Sequence, residues 1–314
     1  MKNNKVATVI LNYNTWNETI NCIESIKSTY SNMMFLIVDN CSKIEPTEKF
    51  LNYIKENSDV RFFKAKKNNG YSAGNNIGIK YAIDNDFDYI FISNSDVIVK
   101  ERTIQNMIAL CEEKKDCGIV GPQIYDAKGI FLPFLLCCKQ DFSGKIKNMM
   151  LKIPIINKLF GGFKKSFIIS HELDEPVNVF GVHGSFFLMT NECAKYLYPL
   201  DERTFLYEEE YIIGCRLEES RFHAFLCPKT MVYHLEGIST KGMSPFAFEC
   251  LTNSEQLYIS EYLDSNLFQS SVLFIIRRLE YLLFSIKKRD YRNYKRLYFR
   301  NTSQYRKNFI KNNG

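Results

Sequence analysis

The stretch VATVILNYN, residues 6–14, decides how the chain folds. It opens with a short and almost unbroken apolar run, the form expected of a strand that is buried on both faces of a sheet. Asn12 ends that run, and Asn14 or Thr15 can cap a helix that continues to about Thr29. A buried strand followed at once by a helix predicts an α/β fold.

The same unit recurs over the next hundred residues. Apolar runs at 35–38, 60–63, 89–92 and 118–120 predict further strands, and helical patterns separate them. Repeated strand–helix units predict a Rossmann-like, mostly parallel sheet with flanking helices and right-handed crossovers. Ligands of such sheets bind beyond the carboxyl ends of the strands.

Polar side chains stand at these strand ends. Asn12 and Asn14 follow the first strand, Asp39 the second, Asn69–Asn75 the third and Asn94-Ser95-Asp96 the fourth. Because the carboxyl ends of parallel strands share one edge of the sheet, we expect one site there. The Asn69–Asn75 loop carries Gly70 and opens a helix, which suits close backbone approach and anion binding; the alternative is an ordinary connection between a strand and a helix. It matches neither G-x-G-x-x-G nor a P-loop, so neither a dinucleotide cofactor nor an ATPase fold is indicated.

Two sites are candidates for a divalent cation. Asp96 lies at a strand end, where a carboxylate can hold Mg²⁺ or Mn²⁺ together with substrate phosphates; the alternative is an Asp that caps the next turn. His234 ends a later short strand and is a candidate ligand for a metal or a phosphate, although a lone His is more often structural.

Glu208, Glu209 and Glu210 follow an apolar Phe-Leu-Tyr stretch. Consecutive acids there form either a solvated helix start, which the helix dipole favours, or a site for a general base of raised pKa. His183 shows no ligand spacing and is interpreted as structural, although its position beside Gly184 could face a substrate.

Composition narrows the class of protein. Hydrophobic residues make up 46% and charged residues 24%, which is typical of a globular protein with a core. The ten cysteines are scattered without a C-x-x-C pair, which indicates reduced thiols of a cytosolic protein rather than a disulfide framework or a zinc site. We see neither a secretory signal nor an uncharged apolar run of about 18 residues, so we expect no membrane-spanning helix.

The carboxyl-terminal part is basic. Residues 277–314 carry twelve Lys or Arg against Glu280 and Asp290, while the whole chain has a net charge of +6, so the rest is on balance acidic. Aromatic and aliphatic residues alternate with these bases, a pattern that can lie in an anionic membrane interface. A helical cap on the preceding domain and a homodimer contact are equally compatible. No motif supports nucleic-acid binding.

Taken in order over about residues 5–240, these segments resemble the family-two glycosyltransferases with the GT-A fold, especially those of bacterial capsule and O-antigen synthesis. The matching segments are residues 6–14, 38–40, 69–76, 94–96, 184–186, 207–216 and 234–240. The resemblance implies a catalytic domain over 1–245, with a nucleotide-binding part at about 1–121 and an acceptor-side part at about 122–245. Residues 246–314 then form a helical, basic extension.

The resemblance also implies a reaction. A hexosyltransferase of this type uses Mn²⁺ or Mg²⁺ and moves a sugar, with inversion, from a uridine or thymidine diphosphate sugar to a glycan hydroxyl. The acceptor would be linked to a lipid diphosphate, and the enzyme would be cytoplasmic and peripheral on the inner face of the plasma membrane.

Residue roles follow from the same resemblance. Glu210 would be the base, with Glu209 as the alternative, and Asp96 and His234 would hold the metal. Gly184 and Ser185 would shape the acceptor side, and a loop with His234 and Ser239 would close over the diphosphate. The donor would be contacted by Asn12, Asn14, Asp39, Asn69, Gly70, Asn75, Asn94 and Ser95.

The chain departs from the family pattern at two positions. Asn94 stands where the metal motif has its first acid, and Glu210 stands where the base is typically Asp. These departures leave open a non-catalytic module that binds a sugar nucleotide or a membrane. A sugar-nucleotide pyrophosphorylase would need a Gly-rich basic loop near the start, and residues 12–16 contain neither Gly nor Arg.

Overall fold

The computed structural model describes residues 4–134, 136–150, 169, 172–235, 243–263 and 265–313. Its strands are β1 (Val6–Asn12), β2 (Met34–Asp39), β3 (Val60–Lys64), β4 (Tyr89–Asn94), β5 (Val97–Val99), β6 (Cys117–Gly121), β7 (Ile124–Tyr125), β8 (Val177–Val179), β9 (Phe186–Thr190), β10 (His223–Leu226) and β11 (Val232–His234). Its helices are α1 (Trp16–Lys27), α2 (Glu48–Glu56), α3 (Tyr71–Asp84), α4 (Thr103–Glu113), α5 (Phe142–Met150), α6 (Asn191–Leu197), α7 (Glu209–Glu218), α8 (Pro245–Leu257), α9 (Leu267–Lys287) and α10 (Arg289–Asn313).

A large sheet forms the centre of the molecule, with the strand order β3-β2-β1-β4-β9-β6-β10-β8. The strands β3, β2, β1 and β4 are parallel, as the sequence predicts. Strand β9 runs antiparallel between β4 and β6, and β8 runs antiparallel to β10. A small second sheet has the order β5-β11-β7.

Strand β1 is buried on both of its faces, which confirms the prediction from the apolar run at the start of the sequence. Val6 and Ile10 pack in one core with α1, whereas Ala7 and Val9 pack in another core with α3. This alternation follows from the two-residue period of a strand. The two helices therefore lie on opposite faces of the sheet.

Some element bounds differ from those expected from the sequence. Helix α3 starts at Tyr71 rather than near Gly74, and the strand-like stretch 177–190 divides into β8 and β9 around a glycine-bearing loop. The segment expected to be irregular contains α5.

The carboxyl-terminal helices pack on the rest of the chain. Tyr258 contacts Tyr211 of α7, with ring centroids 5.5 Å apart, and Ser254 donates to the carbonyl of Leu206 at 2.9 Å. Within the described residues, no helix has the length and apolar character needed to cross a membrane.

Candidate active site

Asn12 joins the ends of β1 and β2. Its Oδ1 accepts from the hydroxyls of Thr15 and Thr19, both at 3.0 Å, and its amide lies 3.3 Å from Asp39 Oδ1 and from Ser42 Oγ. The side chain is fully buried, and both of its polar atoms are engaged. Asn12 therefore acts on the shape of this edge rather than as a free donor or acceptor.

Asn14 holds the loop after β2. With φ of 63°, it accepts at Oδ1 from the N–H groups of Lys43 and Ile44, at 2.8 and 2.9 Å. Its own N–H donates to Ser42 Oγ at 2.8 Å, and Asp39 Oδ1 accepts from the Ser42 N–H at 3.1 Å. Ser42, which no sequence pattern singles out, is thus the hub that orients Asp39.

The loop before α3 makes a close backbone crossing. Gly70 has φ of 99°, and a Cβ there would lie 2.3 Å from the carbonyl oxygen of Phe205, so only glycine fits. Asn69 is exposed, whereas Asn75 is fully buried and donates its amide to the Tyr71 carbonyl at 3.1 Å. Asn75 Oδ1 has no hydrogen-bond partner among the described residues.

Asp96 and His234 come together because β5 and β11 pair antiparallel. The N–H of Leu235 donates to the Asp96 carbonyl at 2.9 Å, and His234 Nε2 lies 3.3 Å from Asp96 Oδ1. Ser95 joins this pair to the β1 loop, because its Oγ lies 2.7 Å from that of Thr15.

A carboxylate and an imidazole fit a divalent cation that completes its shell with water and substrate phosphates. No group of three or more His, Cys, Asp or Glu side chains in the described part of the chain could hold a metal on its own.

His183 lies beside this pair, with its ring centroid 5.7 Å from that of His234. Burial lowers the His183 pKa to about 4; the neighbouring His234 contributes, and Asp96 acts in the opposite direction. The ring is therefore neutral at pH 7. Nδ1 accepts from the Ser185 N–H at 3.2 Å, so the proton sits on Nε2.

Glu210 is held by the loop before β9. Gly184 N–H donates to Glu210 Oε1 at 3.2 Å, and the Tyr71 hydroxyl donates to the Gly184 carbonyl at 2.5 Å. Burial raises the pKa of Glu210, while backbone N–H groups and Lys145 act against that rise. A carboxylate of raised pKa is a stronger proton acceptor than an exposed one.

Glu209 has a different environment. Burial raises its pKa well above the usual range, with the charge of Glu210 adding to the effect. Its Oε1 is buried without a hydrogen-bond partner among the described residues.

A cavity of about 360 Å³ has Glu210 in its wall. His183 lines it together with mainly apolar side chains, among them Phe131, Phe134 and Tyr211. Glu209 is not part of its wall. A molecule in this cavity would therefore meet Glu210 and not Glu209.

Residues 8–168, just over half of the chain, match the model of glycosyl transferase family 2. The chain belongs to this family. Over 290 aligned residues it is 24% identical to the low-salt glycan biosynthesis hexosyltransferase Agl10 of Haloferax volcanii. The aligned region covers 90% of this chain and 81% of that protein. Over 117 residues, 37% of this chain and 38% of the relative, it is 30% identical to the glycosyltransferase GlyG of Streptococcus pneumoniae serotype 4.

Solved structures show the same fold. GalNAc-T7, solved with UDP, GalNAc and Mn²⁺, aligns with a TM-score of 0.57 at 16% identity, over 82% of this chain and 49% of that one. Residues 1–349 of TarS from S. aureus align with a TM-score of 0.53 at 13% identity, over 90% and 75%. The glycosyltransferase therefore has the GT-A fold, with added helices at its carboxyl end.

A buried ion network supports the start of α7 in this glycosyltransferase. Lys145 Nζ lies 2.6 and 2.5 Å from the two carboxylate oxygens of Glu208, and 3.8 Å from Glu255. Glu255 also receives Arg277 Nε at 2.6 Å. The network connects α5, α8 and α9 to the residue that precedes Glu209 and Glu210.

The structure brings most of the sequence-predicted residues to one edge. A continuous series of contacts runs from Asp39 through Asn12, Thr15 and Ser95 to Asp96 and His234, and from His183 through Gly184 to Glu210. Ser185 follows Gly184 in the same loop and ties it to β4, because the Ser185 carbonyl accepts from the Asn94 N–H at 2.8 Å. Ser239 lies outside the described residues.

Sequence reasoning missed Ser42, Tyr71 and Lys145 and left His183 structural. Ser42 and Tyr71 are single polar residues in ordinary loops, and Lys145 is one of several lysines in its segment. The position of His183 next to Gly184 was the only available signal.

Proposed function

We propose that this glycosyltransferase is an inverting hexosyltransferase that moves a sugar from a nucleoside-diphosphate sugar to a glycan hydroxyl. The observation that carries the proposal is the loop at Gly184 and Ser185. The Gly184 N–H donates to Glu210 Oε1 at 3.2 Å. The Ser185 carbonyl accepts from the N–H of Asn94, two residues before Asp96, at 2.8 Å. A single displacement needs a base and a leaving-group site on opposite sides of one sugar ring, and the contacts of this one loop with Glu210 and with the strand end before Asp96 support that arrangement.

Glu210 is the proposed general base. It accepts the proton of the acceptor hydroxyl while that oxygen forms a bond to the anomeric carbon. The bond between the anomeric carbon and the diphosphate oxygen breaks in the same step, which inverts the centre. The raised pKa of the Glu210 carboxyl group suits a base, and the cavity that Glu210 lines and Glu209 does not line supports this role over one for Glu209.

The donor is proposed to lie along the strand ends from Asp39 to Asp96. Asn14 and Ser42 fix the loop that carries Asp39. The anionic diphosphate is proposed to lie near the start of α3 after Gly70, because a helix N-terminus favours negative charge. Asp96 and His234 would hold Mg²⁺ or Mn²⁺; when bound, the cation neutralises negative charge on the departing diphosphate. The UDP complexes of GalNAc-T7 and TarS support a uridine diphosphate sugar, with dTDP as the next choice.

The acceptor is proposed to enter through the cavity beside Glu210. Its aromatic wall, at Phe131, Phe134 and Tyr211, suits the apolar face of a sugar ring. The named activity of Agl10 supports a glycan acceptor. We extend the proposal to a lipid-diphosphate-linked acceptor of bacterial surface polysaccharide, with catalysis carried by residues up to about 245.

Two measurements test the proposal. Calorimetry would compare UDP, dTDP and GDP, with and without Mn²⁺, on the wild type and on Asp96→Ala. A released-nucleotide assay over a panel of UDP-hexoses and glycan acceptors would then compare the wild type with Glu210→Gln and its matched neighbour Glu209→Gln, and NMR would assign the product anomer.

We expect metal-dependent binding of one nucleotide that is lost in Asp96→Ala. We also expect turnover to fall at least about 100-fold in Glu210→Gln with nucleotide binding intact, and an inverted product. A larger loss in Glu209→Gln than in Glu210→Gln would move the base to Glu209. Nucleotide binding without any turnover in the wild type would favour a non-catalytic module, and a retained anomer would refute the single displacement.

A further inference from the structure

Helices α9 and α10 form an antiparallel hairpin on top of α8. Tyr281 and Tyr298 stack at 3.7 Å across the hairpin, and Arg306 of α10 reaches Ser271 of α9 at 2.6 Å. Both helices turn one side toward α8. On α9 this side carries Arg277, which binds Glu255, and on α10 it carries Tyr298, which lies 3.1 Å from Thr252.

The opposite side of α9 is apolar and exposed. Ile275 and Leu279 lie two residues before and after the inward Arg277, so at 100° per residue they point away from α8. They belong to one stripe with exposed fractions of 55–75%, formed by Phe268, Ile275, Leu279, Leu283 and Ile286. The stripe extends over about 27 Å at 1.5 Å per residue and contains no charged side chain. A continuous apolar stripe of this length on a surface marks a contact site.

The opposite side of α10 is basic. Arg296 and Arg300 lie two residues before and after the inward Tyr298, so they also point away from α8. They belong to a ridge of exposed bases with spacings of seven, four, seven and four residues, formed by Arg289, Arg296, Arg300, Lys307 and Lys311. The acid in α10, Asp290, follows the first of them.

We propose that this outer face of the hairpin is a docking surface for an anionic lipid bilayer. The apolar stripe would enter the boundary between headgroups and acyl chains, and the parallel basic ridge would contact the headgroup phosphates. A symmetric dimer through the same face would bring two basic ridges to one interface, where their charges repel. The pairing of stripe and ridge therefore favours lipid over a second copy of the chain.

The surface differs from the one that the sequence pattern suggests. Arg277 is buried in an ion pair, and Tyr281, Tyr291 and Tyr298 form a core with Phe248. Those residues are unavailable to a membrane. The inference goes beyond the proposed function and is measured without donor or acceptor, so its failure leaves the transferase proposal untouched.

Vesicle sedimentation of the full chain tests the proposal. The vesicles are pure phosphatidylcholine or an equal mixture with phosphatidylglycerol, at 0.1 and 0.5 M NaCl. The variants are Leu279→Glu/Leu283→Glu for the stripe and Arg296→Glu/Arg300→Glu for the ridge. The control is Leu51→Glu/Lys55→Glu, which changes one apolar and one basic residue on the exposed side of α2.

We expect the wild type and the control to bind the anionic vesicles and to release them at high salt. The ridge variant should bind at least about tenfold more weakly, since each base near the surface contributes roughly 1 kcal/mol, and the stripe variant should bind at least about 100-fold more weakly. Melting temperatures of all variants should stay close to that of the wild type. If the stripe variant misfolds, Leu283→Gln alone replaces it.

Three results would overturn the proposal. The first is a wild type that stays in the supernatant with both lipids. The second is binding that the ridge and stripe variants retain at the level of the control. The third is a wild-type dimer in analytical ultracentrifugation that the stripe variant converts to a monomer while vesicle binding is absent.

Discussion

Replacing Lys145 with methionine removes the cation from a buried ion pair without changing the length of the side chain greatly. The side chains of Lys145 and Glu208 are exposed by only 8% and 4%, and their charged atoms lie 2.5 Å apart. Methionine would leave Glu208 buried without its main cation. Removal of one partner from such a pair costs about 3–5 kcal/mol, and we expect a loss near the lower figure because Arg277 remains in the network.

The same change should lower activity. Glu208 sits at the start of α7 in a left-handed conformation, with φ of 69°, and Glu210 follows two residues later. A shift of that turn displaces the proposed base, and misplacement of about 1 Å can cost up to 10²-fold. We therefore expect kcat to fall about 10- to 100-fold while the donor KM changes little.

Urea unfolding followed by circular dichroism at pH 7.5 measures the stability loss. Lys139→Met is the matched control, because Lys139 and Glu218 also form a close pair, 2.7 Å apart, but their side chains are exposed by 37% and 48%. That control should lose less than about 1 kcal/mol. Lys145→Met/Glu208→Gln should recover most of the loss, because it removes the orphaned charge. Equal losses at Lys145 and Lys139, or no recovery in the double variant, would refute the reasoning.

Three further changes test other parts of the site. Glu209→Gln should leave stability almost unchanged near pH 4 and raise it at pH 8. The pKa of Glu209 is higher in the folded than in the unfolded state, so the contribution of Glu209 to stability is complete below about pH 4.5 and declines as the pH rises. Equal urea midpoints for Glu209→Gln and the wild type at pH 8 would contradict this prediction. Gly70→Ala should cost at least about 1 kcal/mol in unfolding free energy, because its Cβ would meet the Phe205 carbonyl at 2.3 Å, and a neutral result would show that this loop relaxes freely. Tyr71→Phe should lower kcat roughly fivefold by releasing the carbonyl of Gly184, and an unchanged kcat would remove Tyr71 from the support of Glu210.

The sheet could be predicted well because its strands are short apolar runs with local boundaries. Residues 6–12 form β1 almost as expected, and Asp39 and Asn94 end their strands where the polarity changes. The antiparallel β9 could not be placed from the sequence. It pairs with β4, which lies about 100 residues earlier in the chain, and with β6, which lies about 70 residues earlier. Such pairing depends on contacts that no local pattern encodes.

The candidate site was predictable in its residue types and less so in its contacts. Asp96 and His234 were both singled out, but their 3.3 Å approach depends on the pairing of β5 with β11. Asn12 was expected at the donor, yet its amide is occupied by loop contacts. The proposed choice of Glu210 over Glu209 depends on which of the two residues lines a cavity, and only the tertiary structure shows that.

The basic carboxyl-terminal region shows most clearly what a sequence pattern cannot predict. Its composition indicates an amphipathic region, and α9 and α10 are both present. Alternation of apolar and basic residues could not show that Arg277 is buried while Leu279 is exposed, because that depends on which side of α9 meets α8.

The sequence by itself determined the α/β class, the order of the strand-end residues and the family. Each of these depends on local polarity and residue spacing, because a buried strand must be apolar and the residues at its end are polar. The tertiary structure alone decided which side chains meet: the support of Glu210 by Gly184 and Tyr71, the burial of Lys145 against Glu208, and the outward stripe on α9. Those contacts join residues far apart in the chain, and their free energy comes from burial and charge pairing that exist only after folding.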